Sequence, residues 1–135
     1  MSRLIYLDNA ATTKTAPEVV DAMIPYFTEH YGNPSSVYSF ASGNKEVVSR
    51  QREIIAQALG AQANEIYFTA GGSESDNWAL KATAEAYEKK GKHIITTKIE
   101  HHAILHTCEY LEKQRGFEIT YLDVDENGVV KLDEL

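Results

Sequence analysis

Apolar residues along the chain follow two spacings, and these predict an alternation of short strands and longer helices. Short apolar or alternating runs predict four strands, at 4–7, 66–68, 93–97 and 117–122. Apolar residues at helical spacing predict four helices, at about 15–30, 40–59, 74–89 and 101–115. The strand–helix–strand–helix–strand order of the second half favours an α/β fold with a parallel sheet and helical crossovers.

Local signals mark where several of these helices begin and end. Ser73 followed by Asp76 resembles a capping box, so a helix is expected to begin near Ser73. Pro25 is expected to kink the first helix or to end its regular part. Gly60 is expected to cap the end of the second helix.

The apolar faces of the last two helices also follow from the spacing of their residues. In the helix at 74–89, the stripe expected to be buried comprises Trp78, Ala79, Ala82 and Ala86. In the helix at 101–115, one apolar face comprises Ile104, Cys108 and Leu111. Cys108 is therefore expected to be a buried, unreactive thiol.

Composition narrows the classes of protein to which the chain can belong. The chain has 135 residues, of which 43% are hydrophobic and 24% charged, the balance of an ordinary globular domain. A net charge of −7 argues against nucleic acid or an anionic membrane as a partner. The chain has no apolar run long enough to span a bilayer and no signal-peptide pattern at its start, so we expect a cytoplasmic protein. A single cysteine excludes an internal disulfide.

A glycine turn between a predicted strand and a predicted helix is the first candidate for chemistry. Gly71 and Gly72 allow a sharp turn and leave room for a ligand close to the backbone. The helix expected to follow offers free N–H groups and the positive end of its dipole, and Ser73 and Ser75 add hydroxyl donors. The sequence therefore predicts an anion site here, although an ordinary loop has the same pattern. The stretch matches neither the dinucleotide-binding fingerprint nor the P-loop.

A histidine cluster just past the next predicted strand is the second candidate, and it allows three interpretations. His102 and His106 are spaced i, i+4 and could bind a metal, although Ala103 stands where the H-E-x-x-H pattern has its glutamate. The spacing alone favours ordinary polar residues at the start of a surface helix. The third interpretation places His101 at the mouth of a cofactor pocket, where its ring could stack on an aromatic cofactor and move protons.

Four motifs together resemble one known family over essentially the whole chain. They are Tyr6-Leu7-Asp8-Asn9-Ala10-Ala11-Thr12-Thr13, Gly32-Asn33-Pro34-Ser35-Ser36, Phe68-Thr69-Ala70-Gly71-Gly72-Ser73-Glu74-Ser75-Asp76-Asn77 and Glu100-His101-His102-Ala103. In this order and spacing they are similar to the N-terminal third of a cysteine desulfurase. These enzymes are NifS-like members of the class V aminotransferase family and use pyridoxal 5′-phosphate (PLP).

The resemblance implies a fold, a cofactor and a set of site residues. The fold is α/β, part of the large domain of a fold-type I PLP-dependent transferase with a mostly parallel sheet. Gly72 and Ser73 match the positions that hold the cofactor phosphate, where the family more often has alanine and threonine. His101 matches the catalytic histidine that stacks on the pyridine ring and assists proton transfer. The segment near the substrate comprises Ala10, Ala11 and Thr12.

The resemblance also implies a reaction and partners. The family converts L-cysteine to L-alanine and keeps the sulfur as an enzyme-bound persulfide for iron–sulfur clusters or other acceptors. The implied substrate is thus cysteine, and a sulfur-acceptor protein is an implied partner. We expect a homodimer, or association with the missing remainder of the enzyme.

Several parts of the family's machinery have no counterpart in this chain. The family uses a lysine for a Schiff base, an aspartate against the pyridine nitrogen and a nucleophilic cysteine, all beyond the position of Leu135. The residues at 129–135 begin a further element without a stop signal, which predicts truncation. The expected segments are an N-terminal strand and substrate-side segment at 1–15, a helical region at 16–60 and the truncated PLP-binding domain at 61–135.

Two functional hypotheses follow from the sequence. The first is the N-terminal part of a cysteine desulfurase that is inactive as an isolated chain. The second is a non-catalytic anion-binding or interaction fragment. No metal is expected in the first hypothesis, whereas the histidine pair keeps a metal site open as a third possibility.

Overall fold

The structure is a computed structural model that describes residues 4–135. The chain divides into two compact units, one ending at Tyr67 and one running from Phe68 to Leu135. Within the described residues, no helix has both the length and the apolar character that are needed to cross a bilayer.

The first unit is helical, and prolines and a glycine set its boundaries. Its helices are α1 (Pro17–Met23), α2 (Pro25–Thr28) and α3 (Ser39–Leu59), followed by a short 3-10 helix at Ala63–Glu65. Pro25 separates α1 from α2, as predicted, because proline cannot continue the hydrogen-bond ladder of a helix. Gly60 caps α3 in the left-handed conformation at φ 67°, also as predicted.

A polar clamp holds the loop before α3 against the helix. The buried Asn44 side chain donates from Nδ2 to the carbonyl oxygens of His30 and Gly32, both at 2.6 Å. A Cβ added to Gly32 would lie 3.0 Å from Cα of Ala41, so the close approach of loop and helix requires glycine there. The buried residues of α3 are thus small or polar, namely Ala41, Asn44 and Ala56.

The second unit is built on a parallel pair of strands joined by a helix. Its elements are α4 (Gly72–Tyr87), β1 (His93–Thr97), α5 (His102–Arg115), β2 (Glu118–Leu122) and a 3-10 helix at Leu132–Glu134. The strands pair in parallel, with His93 opposite Glu118 and Thr97 opposite Leu122. Gly116 ends α5 in the left-handed conformation at φ 69°, which lets the chain turn directly into β2. The predicted parallel pair with a helical crossover is confirmed.

The core of this second unit lies where both helices meet the sheet. Ala84, Leu111 and Phe117 are buried together, and Ile94 and Ile119 pack against them. Cys108 and Leu111 are buried on α5, so the face predicted for this helix is confirmed. The stripe predicted for α4 is wrong, because Ala84 is its buried residue while Trp78 is 48% exposed.

Two predicted strands are absent from the described residues. Residues 4–7 and 66–68 are not strands, and the only sheet in the described part contains β1 and β2. A strand is defined by hydrogen bonds to a neighbour, and neither segment has a neighbouring strand among residues 4–135. The large side chains of these segments are correspondingly exposed, as at Leu4, Leu7 and Phe68.

Candidate functional site

A polar cleft of about 420 Å3 lies between α4 and α5 in the second unit. Its residues are Ser73, Asn77, Lys81, His101, His102, Ala103, His106, Thr107 and Tyr110. The cleft therefore brings together two predicted site residues, Ser73 from the start of α4 and His101 from the start of α5. The sequence had suggested that both follow strand ends, but only His101 follows a strand, because residues 66–68, before α4, do not form one.

The charge of the cleft differs from that of the whole chain. The chain carries a net charge of −7, yet none of the nine residues that line the cleft is an aspartate or glutamate. Lys81 provides an ammonium group, which lies 5.1 Å from the centroid of the Tyr110 ring. A cleft with a cation, imidazoles and amides but no carboxylate favours an anionic ligand.

The start of α4, which contributes Ser73 to the cleft, has no side-chain cap. Gly72 is the first residue of α4, Gly71 is its N-cap, and no side chain caps the helix. The predicted helix start near Ser73 is confirmed to within one residue, but the capping box is not formed, because Ser73 lies inside the first turn. The Glu74 carboxylate instead accepts a hydrogen bond from the Ala70 N–H at 2.6 Å. The first turn thus keeps N–H groups that an anion can bind, while the Glu74 carboxylate offsets part of their positive charge.

The hydroxyls of the two serines in this turn have different surroundings. Ser75 Oγ lies 2.7 Å from Thr69 Oγ1, so a hydrogen bond joins these two hydroxyls. Ser73 lines the cleft. Of the two serines proposed as donors, Ser73 is therefore the one placed to meet a ligand there.

The two glycines of the turn provide space rather than an unusual backbone. Gly71 is extended, with φ 164° and ψ 176°, and Gly72 is helical. A Cβ added to either glycine would meet no atom within 4 Å. The sharp glycine-dependent turn expected from the sequence is therefore not found, and alanine, which the resembling family more often carries at position 72, would fit.

His101 is fixed at the start of α5 by its own side chain. It is the N-cap residue, and its Nδ1 accepts a hydrogen bond from the Ala103 N–H at 3.1 Å. A ring that accepts at Nδ1 carries its proton on Nε2 when it is neutral. The cap thus orients the imidazole and leaves Nε2 as the nitrogen that can exchange a proton with a ligand.

The other two histidines of α5 form a stacked pair. The rings of His102 and His106 have centroids 5.1 Å apart and an interplanar angle of 29°. Within the described residues, no three histidine, cysteine, aspartate or glutamate side chains lie in an arrangement that could hold a metal ion. The metal interpretation of the sequence gains no third ligand in this part of the chain.

A hydrogen-bond bridge with one buried end, at Thr107, joins α5 to α4 beside the cleft, and the sequence did not predict it. Thr107 Oγ1 donates to Asn77 Oδ1 at 2.8 Å, and Asn77 Nδ2 donates to the carbonyl oxygen of Ser73 at 2.9 Å. Thr107 is 3% exposed. The bridge spans two residues that are 30 positions apart, and no local pattern connects them.

Cys108 lies next to the bridge but is not a reactive group. Its side chain is 0% exposed. Burial, together with the nearby carboxylates of Glu100 and Glu112, raises the pKa of the Cys108 thiol. A protonated, inaccessible thiol is a poor nucleophile, so the predicted buried position of Cys108 is confirmed.

The predicted substrate-side segment belongs to the first unit. Ala10, Ala11 and Thr12 are exposed and lie in a turn in which the Ala11 N–H donates to the Asp8 carbonyl oxygen at 3.1 Å. Their role near a substrate stays a prediction.

Comparisons with known proteins agree on one family. The chain matches the family model described as aminotransferase class-V over residues 5–135. It is 58% identical over 135 residues to cysteine desulfurase IscS from Clostridium botulinum (strain Kyoto / Type A2), covering 100% of this chain and 34% of that protein.

Solved structures give the same result in three dimensions. A NifS-like protein superposes with a TM-score of 0.90 at 44% identity, covering 96% of this chain and 35% of that one. A structure named "SspA in complex with cysteine" gives a TM-score of 0.79 at 41% identity, covering 86% and 33% of the two chains.

These matches confirm the predicted resemblance to NifS-like cysteine desulfurases and the predicted fold class, part of a fold-type I transferase. The chain spans about a third of the length of the proteins that it matches. The family model covers nearly every residue of it, and on that ground the chain belongs to the aminotransferase class-V family.

Proposed function

We propose that the cleft between α4 and α5 is part of a PLP site and that the chain is the corresponding part of a cysteine desulfurase. The observation that carries this proposal is that Ser73 and His101 line one cleft without a carboxylate. The first turn of α4, with Gly72 and Ser73, holds the cofactor phosphate. His101 lies against the pyridine ring.

The side chains of the cleft fit such a group. A phosphate needs hydrogen-bond donors and positive potential, which the Ser73 hydroxyl and the uncapped N–H groups of α4 supply. The absence of a Cβ at Gly71 and Gly72 leaves open space against the backbone. Lys81 adds a cation to the same cleft.

The residues of this chain bind, orient and move a proton. PLP, when bound, supplies an electron sink for the substrate carbon that loses a proton. Ser73 and the first turn of α4 fix the phosphate end and so set the position of the whole group. His101, fixed through Nδ1 by the Ala103 N–H, presents Nε2 as the site that takes up or releases a proton.

Cysteine is the substrate that the relatives support. One relative is named cysteine desulfurase IscS, and one solved structure is named as a complex with cysteine. We propose that Ala10, Ala11 and Thr12 lie on the substrate side and that the released sulfur passes to an acceptor for iron–sulfur cluster assembly. The proposed location is the cytoplasm.

We further propose that this chain by itself does not turn over cysteine. The only thiol of the chain, Cys108, is buried and its pKa is raised, so it cannot receive sulfur. Lys81 is the only lysine among the residues that line the cleft. It lies about two helical turns after Ser73 in α4, and its ammonium group lies over the Tyr110 ring. The isolated chain and a Cys108→Ala variant are each assayed for sulfide release in the presence of PLP and cysteine. Release by the unmodified chain but not by the variant would contradict this part of the proposal.

The phosphate subsite can be tested with ligands that carry no aldehyde, since these cannot react with surface lysines. Pyridoxine 5′-phosphate and pyridoxine differ only by the phosphate, and calorimetric titration compares their affinities for the full chain. We expect the phosphate ester to bind at least about tenfold more tightly, because charge-assisted hydrogen bonds are among the stronger polar contacts. Equal affinities would overturn the proposal.

Two variants assign the two ends of the ligand. Ser73→Ala removes the hydroxyl and is expected to weaken binding of the phosphate ester but not of pyridoxine. Ser49→Ala makes the same change on the exposed surface of α3 and serves as its control. His101→Asn keeps a residue that can cap α5 but removes the ring, so it is expected to weaken both ligands. A Ser73→Ala variant indistinguishable from Ser49→Ala would remove Ser73 from the site.

The alternative function is a fragment that acts by interaction, and the exposed surface of the chain favours this second candidate. The accessible surface is 11024 Å2 for a chain of 15.1 kDa. Two separate folded units of half that mass would expose only about 8500 Å2 together. Many large apolar side chains account for the difference, so we propose that the chain associates, either as a homodimer or with a further polypeptide segment. Light scattering that finds only monomer at about 100 µM, well above the affinity of a typical weak dimer, would contradict association.

A further inference from the structure

The geometry points to Thr107 and Asn77 as positioning residues that hold the phosphate end of the cleft in register with His101. This inference rests on the proposed PLP site. The inference does not require either side chain to contact the ligand. What the two residues do is connect the first turn of α4, where the phosphate is proposed to lie, to the helix that carries His101.

The hydrogen bonds of the bridge run in one direction and use every polar atom of the Asn77 amide. Thr107 on α5 donates to Asn77 Oδ1 at 2.8 Å, and Asn77 Nδ2 donates onward to the Ser73 carbonyl at 2.9 Å. The Thr107 hydroxyl is buried, so water does not compete for it. The amide is therefore held at both ends, and its orientation is fixed.

The held carbonyl controls a donor on the opposite side of the same peptide group. The Ser73 carbonyl and the Glu74 N–H belong to one planar trans unit and point in opposite directions. The hydrogen-bond ladder of α4 already orients this carbonyl, and the Asn77 side chain adds a second bond that ties the peptide to α5 through Thr107. The added bond also polarises the peptide and strengthens its N–H, which faces the start of α4, as a donor. The bridge thus ties one donor for the phosphate to α5 and strengthens it.

The other end of the bridge sets the position of His101. Thr107 lies on the same helix as the His101 N-cap, four residues after Ala103, whose N–H donates to the His101 ring. Apolar contacts fix α5 against α4 at Ala84 and Leu111, farther along both helices from the cleft. Among the described hydrogen bonds, the bridge is the direct side-chain link between the two helices beside the cleft. Without it, the starts of α4 and α5 would be linked only by contacts farther along the helices, at Lys81–Tyr110 and Ala84–Leu111, so the groups at the two ends of a bound ligand would be held less firmly relative to each other.

Three variants separate positioning from simple loss of structure. Thr107→Val keeps the shape of the side chain and removes the hydroxyl, Thr107→Ser keeps the hydroxyl, and Thr83→Val makes the same swap at an exposed position of α4. The affinity of the full chain for pyridoxine 5′-phosphate and for pyridoxine is measured for each. We expect Thr107→Val to weaken the phosphate ester by about tenfold and pyridoxine much less. We expect Thr107→Ser and Thr83→Val to bind both ligands as the unmodified chain does.

Amide hydrogen exchange without ligand provides an independent readout. Loss of the bridge is expected to speed exchange at the Ser75 amide, which bonds to the Gly71 carbonyl at the start of α4. Exchange is also expected to speed at the amides of residues 104 and 105, which bond to the His101 carbonyl, while Leu111 in the core stays protected. If Thr107→Val retains the affinity of the unmodified chain for the ester, or if it leaves exchange at both helix starts unchanged, the inference is wrong. If Leu111 also exchanges faster, Asn77→Leu replaces Thr107→Val. It keeps the approximate shape of the side chain and adds no charge to the cleft, but it removes both hydrogen bonds of the bridge, and the same two results are required of it.

The design distinguishes failure of this inference from failure of the proposed function. If the unmodified chain shows no preference for the phosphate ester, the proposed function fails. Faster amide exchange in Thr107→Val would in that case show that the bridge positions the two helices although no phosphate binds there. A clear preference that survives Thr107→Val overturns only the positioning role.

Discussion

The two units of this chain bury their apolar residues to very different degrees. In the second unit, α4 and α5 pack on a parallel pair of strands and enclose a core around Leu111 and Phe117. In the first unit, α3 buries only small or polar residues, and Leu59 is 71% exposed. Both units contain long helices of ordinary composition, so helix content does not explain the contrast.

The difference shows that a strand–helix–strand unit can bury its own apolar residues, whereas a single amphipathic helix cannot. The sheet gives α5 a surface on which to pack, and the crossover returns the chain to the same sheet. The first unit has no sheet among its described residues, so the apolar face of α3 has nothing of its own to cover it. The candidate cleft lies in the second unit, whose buried core holds the helices that carry its side chains in fixed positions.

The largest expected effect separates the two units directly. Leu111→Ala removes a 2% exposed side chain from the core of the second unit and is expected to lower the free energy of unfolding by about 2–5 kcal/mol. The matched change in the first unit, Leu59→Ala, is expected to cost no more than about 0.5 kcal/mol. Urea unfolding followed by circular dichroism measures both. Equal losses would remove the contrast on which the comparison depends.

The second prediction asks what holds the first unit together. Asn44→Ala leaves the carbonyls of His30 and Gly32 without their side-chain donor and is expected to cost about 1–3 kcal/mol. Gln51→Ala, at an exposed position of the same helix, is the control and should be nearly neutral. Thermal unfolding compares the two variants. If Asn44→Ala matches its control, the polar clamp does not stabilise this unit.

The third prediction uses two glycines of the second unit that have different roles. Gly116 has φ 69°, so Gly116→Ala forces an L residue into the left-handed region and is expected to destabilise by about 1–2 kcal/mol. Gly72→Ala adds a Cβ that meets no atom within 4 Å, so it is expected to be neutral or to stabilise α4 by less than about 1 kcal/mol. Gly72→Ala should also keep the affinity for pyridoxine 5′-phosphate. Loss of ligand binding in that variant would show that the space at Gly72 is needed by the ligand itself.

The smallest expected effect is a dependence of the stability of the second unit on alkaline pH. Burial raises the pKa of the Cys108 thiol and of the Tyr121 hydroxyl, so the folded chain prefers their protonated forms. Once the pH exceeds about 8.5, an unfolded thiol begins to lose its proton while the folded one retains it. Stability is therefore fully present below that pH and declines above it.

Urea unfolding at a series of alkaline pH values measures this decline. A Cys108→Ala variant is less stable at neutral pH because of the cavity, but its stability should decline less steeply as pH rises. Parallel declines in the two proteins would show that the thiol does not contribute.

The sequence predicted those elements whose signals are local. The alternation at 117–122, the glycine cap at position 60 and the position of Cys108 on an apolar face each depend on a short stretch of chain, and all were found. The predicted strand at 66–68 was not, because strand formation depends on a neighbour and not on β-branched side chains alone.

The buried face of α4 and the details of the site depended on packing that no local pattern records. Trp78 is the most apolar choice on α4, but Ala84 is the residue that meets α5. The logic of parallel crossovers did indicate that Ser73 and His101 could lie near one another. The bridge from Thr107 to Asn77 could not be predicted, since either residue reads as an ordinary polar position until both helices are in place.

The most direct test of the central claim is to map the binding of pyridoxine 5′-phosphate by nuclear magnetic resonance. Backbone amide and histidine ring signals of the labelled full chain are followed during titration. The account predicts saturable shifts at the amides of Gly72 and Ser73 and at the ring of His101, with the same apparent affinity. Shifts confined to other residues, or different affinities at Ser73 and His101, would contradict a single site between α4 and α5.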